Sequence, residues 1–577
     1  MTTQDEFITD DSQLPLEGQR RGGYFIVCGT SDLAYRLVCE LRDAHQADVV
    51  AVVSDRYTGQ AQLIAEKLDG ESVLEASLNG PSALRPEWIR KAAGIALVDV
   101  DDQTNMRNAL RVREINPDVR IVARFYNQRL GNQVQKLLGD CAALSSSATA
   151  ADAFVNAALD RPAWVQIGDR RVCVKIGSRI QREGFLCVVA DRVDKRNLPA
   201  MRLMPWEPDP FAFPESTSRL AALEFLDGEP RVSVSRFVRL RWRLVDVGRF
   251  FSVGPLRLVL ASSFVTVLIS FAIIWALDRP FGWAVYQTLL DLAGDAVPDV
   301  YKAPATAGTG GDWQRIAQLA ITFAGIPMVA VLTAVLVENR GRESRGAPKS
   351  PSAGVSNHVV VVGLGNVGMR CAAQLVEWGV PVVGIERNPN ARGLAEAREL
   401  DIPVVVGEGG LDQPLREARV HRSRALMAMT GDDAENLETA LVAREMNPKV
   451  RLVLRTREGD FARQVYQTVD NVASRSATFL AAPKFAAALL GREVLGVLSV
   501  YPSLIVIAQY TVRRDGALDG RPLGEAEADG GVLVVALKPA GATGFAWLPD
   551  REHRLVPGDT YVVAASRDAF RRRARQL

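Results

Sequence analysis

Two uncharged apolar runs, about Leu258–Leu277 and Ile316–Val337, stand in the middle of a chain whose other hydrophobic residues come in short, interrupted clusters. Each run is long enough to cross a bilayer as a helix of about 20 residues. Between them, Phe281–Leu292 has the spacing of a short amphipathic helix, and Ala293-Gly294-Asp295-Ala296-Val297-Pro298-Asp299 reads as a turn. Span, short helix, Gly-containing turn and span are the parts of a transmembrane pore hairpin. On both sides of it the pattern changes. In the second half Val359–Val362, Val382–Ile385, Val404–Val406, Ala425–Ala428 and Leu452–Leu454 are apolar without alternation, and amphipathic helical stretches separate them. Such runs fit parallel strands covered on both faces, and parallel strands with crossover helices give a doubly wound α/β sheet.

The second half repeats the first. Val100-Asp101-Asp102-Gln103-Thr104-Asn105 recurs as Gly431-Asp432-Asp433-Ala434-Glu435-Asn436. Ala109–Pro117 recurs as Ala440–Pro448, Val119–Arg124 as Val450–Arg455, and Ser147-Ala148-Thr149 as Ser476-Ala477-Thr478. Order and spacing hold over more than a hundred residues, so two homologous α/β domains are expected, about 23–160 and 357–490.

Charge fixes an expected topology. Arg231, Arg236, Arg239, Arg241, Arg243 and Arg249 precede the first apolar run, with Asp246 as the only acid among them. Arg340, Arg342, Arg345 and Lys349 follow the second, whereas the connecting segment holds chiefly Arg279, Lys302 and Arg315. The positive-inside rule then puts both termini in the cytoplasm of a two-span protein. A net charge of +2 over 577 residues gives no sign of a nucleic-acid partner. Six scattered cysteines without a CxxC pair, and four histidines, suggest reduced thiols and no metal site. Residues 1–22 are polar, lack a secretory signal and read as disordered.

The candidate chemistry lies in the second domain. Its first strand runs into Gly363-Leu364-Gly365-Asn366-Val367-Gly368, a GxGxxG between strand and helix. Gly363 suits a tight turn, Gly365 lets backbone approach a phosphate, and Gly368 permits close helix packing; the amides of Asn366 and Val367 begin the helix. Glu386 ends the next strand about 20 residues later, where an acid bonds both ribose hydroxyls of an adenosine and disfavours a 2′-phosphate. Arg387 follows it. Gly407-Glu408-Gly409 and Thr430-Gly431-Asp432-Asp433 lie at the carboxyl edge of the sheet, where ligands of this fold sit. NAD(H) or an adenine nucleotide is the expected ligand, as a regulator. Asp432, Asp433 and Asn436 suit helix capping as well as ligand contact.

The first domain is a worn copy. Its loop reads Gly29-Thr30-Ser31-Asp32-Leu33-Ala34, with two of three glycines replaced and an acid that opposes phosphate. Asp55 remains near the end of the second strand, and weak or no dinucleotide binding is expected. No catalytic constellation appears, so no enzyme is expected. Hydride transfer needs a substrate site and an acid–base group against the nicotinamide, and no substrate domain is present. His421, in the Arg-rich stretch Arg416–Arg424, reads as a solvated helix-end residue.

Gly363–Gly368, Glu386, Gly407-Glu408, Thr430–Asn436 and Asn447-Pro448 together resemble the RCK (regulator of potassium conductance) or TrkA-N domain, related to nucleotide-binding subunits of Trk potassium uptake. Ser476–Leu490 resembles the crossover helix that pairs two such domains. Residues 491–577 resemble the small α+β C-terminal ligand lobe, and 161–230 a degenerate version of it. The resemblance implies two Rossmann-like RCK copies, a basic juxtamembrane segment at 231–253, a pore domain at 254–338 and a linker at 339–356. It further implies a homotetrameric, ligand-gated cation channel of the plasma membrane. The filter departs from TVGYG: Asp291, Leu292, Ala293, Gly294, Asp295 and Ala296 look closer to that of the CASTOR and POLLUX cation channels. Asp291 and Asp295, repeated fourfold, would ring the mouth with negative charge, attract cations and favour divalents or mixed selectivity, with K+, Na+ or Ca2+ as the expected permeant ions; an exposed loop beyond the filter is the plainer account. Gly325 and Pro327 suit a gate hinge or plain helix packing. A non-conducting, membrane-anchored nucleotide sensor of a partner transporter is the alternative function.

Overall fold

The computed structural model describes residues 23–57, 59–70, 72–77, 84–177, 182–193, 201–204, 209–214, 219–226, 254–276, 281–293, 316–326, 330, 333, 349–457, 472–500, 503–527 and 530–573. They fall into two compact units, 233–356 on one side and 1–232 with 357–577 on the other.

In the larger unit the first domain carries β1 (Phe25–Cys28), β2 (Val49–Val53), β3 (Val73–Glu75), β4 (Gly94–Leu97), β5 (Arg120–Arg124) and β6 (Cys141–Leu144) in the order β3-β2-β1-β4-β5-β6. All neighbours are parallel. A sheet of five antiparallel strands follows: β7 (Trp164–Ile167), β8 (Arg170–Gly177), β9 (Phe185–Asp191), β10 (Arg202–Leu203) and β11 (Leu220–Phe225). The second domain repeats the plan with β12 (Val359–Val362), β13 (Val382–Glu386), β14 (Val404–Val406), β15 (Ala425–Ala428), β16 (Arg451–Arg455) and β17 (Val472–Arg475), ordered β14-β13-β12-β15-β16-β17. Its lobe holds β18 (Glu493–Val500), β19 (Ser503–Thr511), β20 (Val532–Lys538), β21 (Ala546–Trp547) and β22 (Thr560–Ser566). The sequence pattern missed β17, because Val472-Ala473-Ser474-Arg475 carries too few apolar residues to register as a strand.

The two copies complete each other's cores. The helix Ser146–Ala158 closes the first domain, yet its Ala150, Phe154 and Val155 pack with Val359, Met369 and Leu375 of the second. The helix Ala477–Leu489 does the converse, placing Ala482, Phe485 and Leu489 among Val27, Leu37 and Val122 of the first. Both helices are rich in alanine, which lets backbones approach closely. Matching polar anchors hold the exchange: Arg120 Nε donates to the Ala488 carbonyl at 2.5 Å, and Arg451 Nε to that of Ala157 at the same distance. The two lobes share one core, in which Val165, Leu186 and Leu223 meet Leu498, Ile505 and Leu533. A Cβ on Gly496 would lie 2.5 Å from Val165, so the lobes touch at backbone range.

The smaller unit holds the helices Gly254–Ala276 and Phe281–Ala293 and helical residues 316–326. Side chains of the first are described only from 261 onward. Among the described residues no helix is long and apolar enough to cross a membrane; the first expected span falls on the helix Gly254–Ala276, and of the second only 316–326, 330 and 333 are described. Ala284, Ala317 and Ile321 form a small core with Phe271, Trp283 and Leu292. Around it Phe264, Leu268, Ile269, Phe281, Leu289, Leu319 and Phe323 are exposed. Asp291 lies in the last turn of its helix, fully buried rather than in an exposed loop, and its carbonyl accepts from Thr322 Oγ1 at 3.4 Å. Leu292 packs against Gly325, where a Cβ would meet the Leu292 carbonyl at 3.0 Å, so the smallest residue is needed for this contact. Ala293 ends the helix; Gly294, Asp295, Ala296 and Pro327 lie outside the described residues, as do 1–22, 231–253 and most of 339–356.

Candidate functional site

Strand β12 ends in the loop 363–368, whose glycines differ in what they permit. Gly363 has φ +83°, and a Cβ there would meet Thr430 N at 3.0 Å. That left-handed turn brings the loop onto the end of β15. A Cβ on Gly368 would come within 1.9 Å of the Gly363 carbonyl, so this glycine lets the helix Asn366–Glu377 seat under its own loop. Gly365 has open space where its side chain would be. It is also the N-cap, and no side chain there bonds the first amides of the helix. Those amides have no carbonyl partner within the helix, which makes the position receptive to an anion.

A cavity of about 470 Å³ opens over this loop. Gly363, Gly365, Glu386, Arg387, Gly407, Thr430 and Asp432 of the candidate residues line it, with Glu435, Arg455 and Arg457. Four other candidates are placed differently. Val367 is buried in the core and Gly368 lies beneath the loop; Asn366 is exposed at the helix start, and Glu408 is absent from the lining.

Glu386 does more than face a ligand. Its Oε2 accepts the Leu364 amide at 2.8 Å and its Oε1 the Asn388 amide at 2.9 Å. The carboxylate thereby fixes the glycine loop, while each oxygen keeps a further acceptor direction for a ribose hydroxyl. Glu386→Ala removes both roles. Hydrogen bonds to a charged group contribute about 1.5–3 kcal/mol, so adenosine-nucleotide affinity should fall by about ten- to a hundredfold in isothermal titration. Unchanged affinity would remove this residue from the site.

The acidic cluster after β15 is largely structural. Asp432 caps the helix Asp433–Met446 by accepting the Ala434 and Glu435 amides, and those amides, Glu435's foremost, hold its carboxyl below the usual range. Asp433 accepts the Arg457 amide, and fully buried Asn436 ties the Thr430 backbone to the Arg455 carbonyl. The first copy repeats each bond: Asp101 caps its helix, Asp102 accepts the Tyr126 amide, and Asn105 joins Asp99 to Arg124. A worn glycine loop that keeps all three bonds points to framing of the sheet edge as their common role.

The sequence reading passed over the cationic end of the cavity. Arg455 and Arg457 leave the carboxyl end of β16, and Arg387 approaches Glu435 at 3.9 Å. Their signal lay in the repeat itself, which puts Arg124 at the matching place in β5. His358 was also overlooked; it is fully buried, its Nε2 donates to the Ala418 carbonyl at 2.8 Å, and burial pushes its pKa down to about 4.

In the first copy Ser31 occupies the N-cap position. Its Oγ accepts the Ala34 amide at 3.3 Å and donates to the Val98 carbonyl, so the chain itself satisfies an amide that an anion would need. Strand register aligns Val53, not Asp55, with Glu386, because Ala51 and Gly384 pair with equivalent residues of the central strands. Asp55 instead accepts the Tyr57 amide in a local turn. The ribose acid is therefore missing from its place.

Among known proteins, the "Potassium channel protein 1" of Methanocaldococcus jannaschii is 25% identical over 99 residues, 17% of this chain and 30% of that one. A Trk system potassium uptake protein TrkA homolog of Pyrococcus abyssi is 24% identical over 195 residues, 31% of this chain and 80% of that one. The chain spans a third or less of the length of the first three curated relatives it matches. The solved structure "GsuK channel bound to NAD" aligns over 97% of this chain and 79% of that one, at 15% identity and a TM-score of 0.48. The TrkA-N domain family matches residues 25–143 and 359–475. Both doubly wound halves of this chain, the intact loop and the worn one, thus match the TrkA-N domain family.

Proposed function

We propose that this chain is a subunit of a ligand-regulated potassium transport protein. Its second TrkA-N domain takes NAD(H) or an adenine nucleotide, and its hairpin at 254–338 forms a cation path across the plasma membrane in a homotetramer. The observation that carries the ligand reading is the cavity above Gly365, bounded by the loop-fixing carboxylate of Glu386 and the guanidinium-bearing Arg455 and Arg457. Adenosine at the acid and phosphate at the uncapped helix start is the arrangement this geometry suits. Potassium enters through the relatives, which by name are potassium channel and uptake proteins. The membrane reading is supported by the exposed large apolar side chains Phe264, Leu268, Ile269, Leu289, Leu319 and Phe323 on the described helices of the smaller unit.

The mechanism follows from linkage. A nucleotide shifts the path between open and closed only by its different affinity for the two arrangements of the paired domains. The swapped helices make those domains one mechanical body, and the linker at 339–356 is its covalent connection to the hairpin. With Asp291 and Leu292 packed in the helix end, Ala293 through Ala296 would line the filter, with Gly325 and Pro327 at the hinge, and no step requires turnover of the nucleotide.

Purified protein in a planar bilayer, with K+ and then Na+ or Ca2+, tests this when NAD+, NADH or ATP is added to one side. Unitary cation currents that respond to a nucleotide are expected. A silent bilayer with measurable nucleotide binding would overturn conduction and leave a membrane-anchored sensor that acts on a partner transporter.

A further inference from the structure

The two copies touch through matching backbone contacts but unlike side chains. Arg36, on the first helix of the first domain (Asp32–Cys39), donates through Nη2 to the Arg457 carbonyl at 3.3 Å. Arg370, on the first helix of the second domain, donates through Nη2 to the Tyr126 carbonyl at 2.9 Å. Tyr126 and Arg457 are repeat counterparts, just beyond β5 and β16. Their side chains then part. Arg457 turns back to its own domain, where it lines the nucleotide cavity and donates to the Gly431 carbonyl. Tyr126 crosses into the second domain. Its hydroxyl donates to Glu396 Oε2 at 2.8 Å, and the guanidinium carbons of Arg370 and Arg392 lie over its ring, 5.4 and 5.5 Å from the centre.

All three partners sit on elements that frame the glycine loop. Arg370 lies little more than one turn beyond Gly365, the cap of its helix. Arg392 and Glu396 belong to the helix Arg392–Glu399. A Cβ on Gly393 would come within 1.9 Å of the Leu364 carbonyl, so the start of that helix rests directly on the loop. Leu364 and Leu394 share one core. Glu386 ties the same parts together from the other side, through the Leu364 and Asn388 amides.

We propose that Tyr126 is a positioning residue of the second domain's nucleotide site, supplied by the worn copy. This rests on the nucleotide reading above. Tyr126 lies outside the cavity lining and acts through the two helices it holds. Its ring and hydroxyl brace Arg370, Arg392 and Glu396 in one arrangement, which sets the loop before a nucleotide arrives and lowers the cost of ordering it. The brace works in both directions. A nucleotide that draws the loop and its two helices together must, by linkage, tighten their hold on Tyr126 and steady the end of β5. The first domain, whose own loop is closed by Ser31, thereby reads the occupancy of the second.

The test is isothermal titration of the full-length protein in detergent with ADP and NAD+, for the native chain, Tyr126→Phe and Tyr126→Ala. It is joined to amide hydrogen exchange over residues 124–130, the end of β5 and the start of the next helix, with and without ADP. Tyr126→Phe keeps the ring beneath the arginines and loses only the bond to Glu396. Tyr126→Ala loses both, while the backbone bond from Arg370 can persist in each. Affinity should fall by about threefold in Tyr126→Phe and by about tenfold in Tyr126→Ala. ADP should slow exchange over 124–130 in the native chain, less so in Tyr126→Phe, and not in Tyr126→Ala. A tyrosine that only packs would lower the melting temperature of the nucleotide-free protein and move neither readout. Unchanged affinities, or ADP protection that persists in Tyr126→Ala, overturn the proposal. If Tyr126→Ala does not fold, the same two readouts on Tyr126→Phe decide. If Gly365→Phe abolishes binding but the Tyr126 variants bind as the native chain does, only this inference fails. If no nucleotide binds the native chain, the nucleotide reading fails with it.

Discussion

Gly365→Phe should abolish nucleotide binding while leaving the protein as stable as before. No atom lies within 4 Å of the position a Cβ would take, so the new side chain meets only the cavity. A benzyl group placed there covers the amides at the start of the helix Asn366–Glu377 and fills the space a phosphate needs. Because those amides have no other partner within the helix, no compensating site is available. Titration with NAD+ or ADP should show no heat, and nucleotide should no longer raise the melting temperature, as it does for a ligand that binds only the folded state. Gly368→Ala is the informative contrast. Its Cβ would collide with the Gly363 carbonyl, so this variant should lose stability as well as binding. Intact binding in Gly365→Phe would mean that the nucleotide sits elsewhere.

The second large effect concerns stability alone. Arg567, at the start of the final helix, forms an ion pair with Glu40, which is fully buried at the end of the first domain's first helix. The guanidinium also lies 4.4 Å from the ring centre of Phe479 on the second swapped helix. Arg567→Leu takes this cation away from the buried Glu40 carboxylate. Removing one partner of a buried pair costs about 3–5 kcal/mol, so the melting temperature should fall clearly in calorimetry. Glu40→Leu with Arg567→Leu should recover much of that loss, since the buried charge is then gone. A double variant no more stable than the single one would show that the arginine's packing, not its charge, matters.

How much of this was legible in the sequence differs by level. The paired doubly wound sheets could be read because parallel strands such as Val359–Val362 are apolar on both faces, and because the repeat fixed where each copy begins. Glycine roles at 363, 365 and 368 could be read because each is dictated by local backbone geometry. Partner choice could not be read from periodicity, although the resemblance had given Ser476–Leu490 as a crossover helix. Nothing in the alternation of Ala481, Ala482 and Phe485 says that they belong to the other domain's core, since an apolar helix face is the same whichever sheet it covers. The same limit hid Arg455 and Arg457, whose importance comes from where β16 ends relative to the loop. It also made Asp55 look like the ribose acid, when the register gives that place to Val53. In the hairpin segment the pattern gave the helix Phe281–Ala293 to within one residue but left Asp291 open as an exposed loop acid, and packing beside Thr322 buries it.

The exchange of helices between the copies also bears on how the protein is made. When the ribosome has finished Ala158, the first domain lacks the helix that fills its core beside Val27, Leu37 and Val122. That helix begins at Ala477, with more than half of the chain still to be translated. At about 5–20 residues per second the delay is on the order of tens of seconds. Throughout it, the nascent first domain carries an open apolar groove of its own fold, a place for chaperones to occupy and for a second nascent copy on the same messenger to invade.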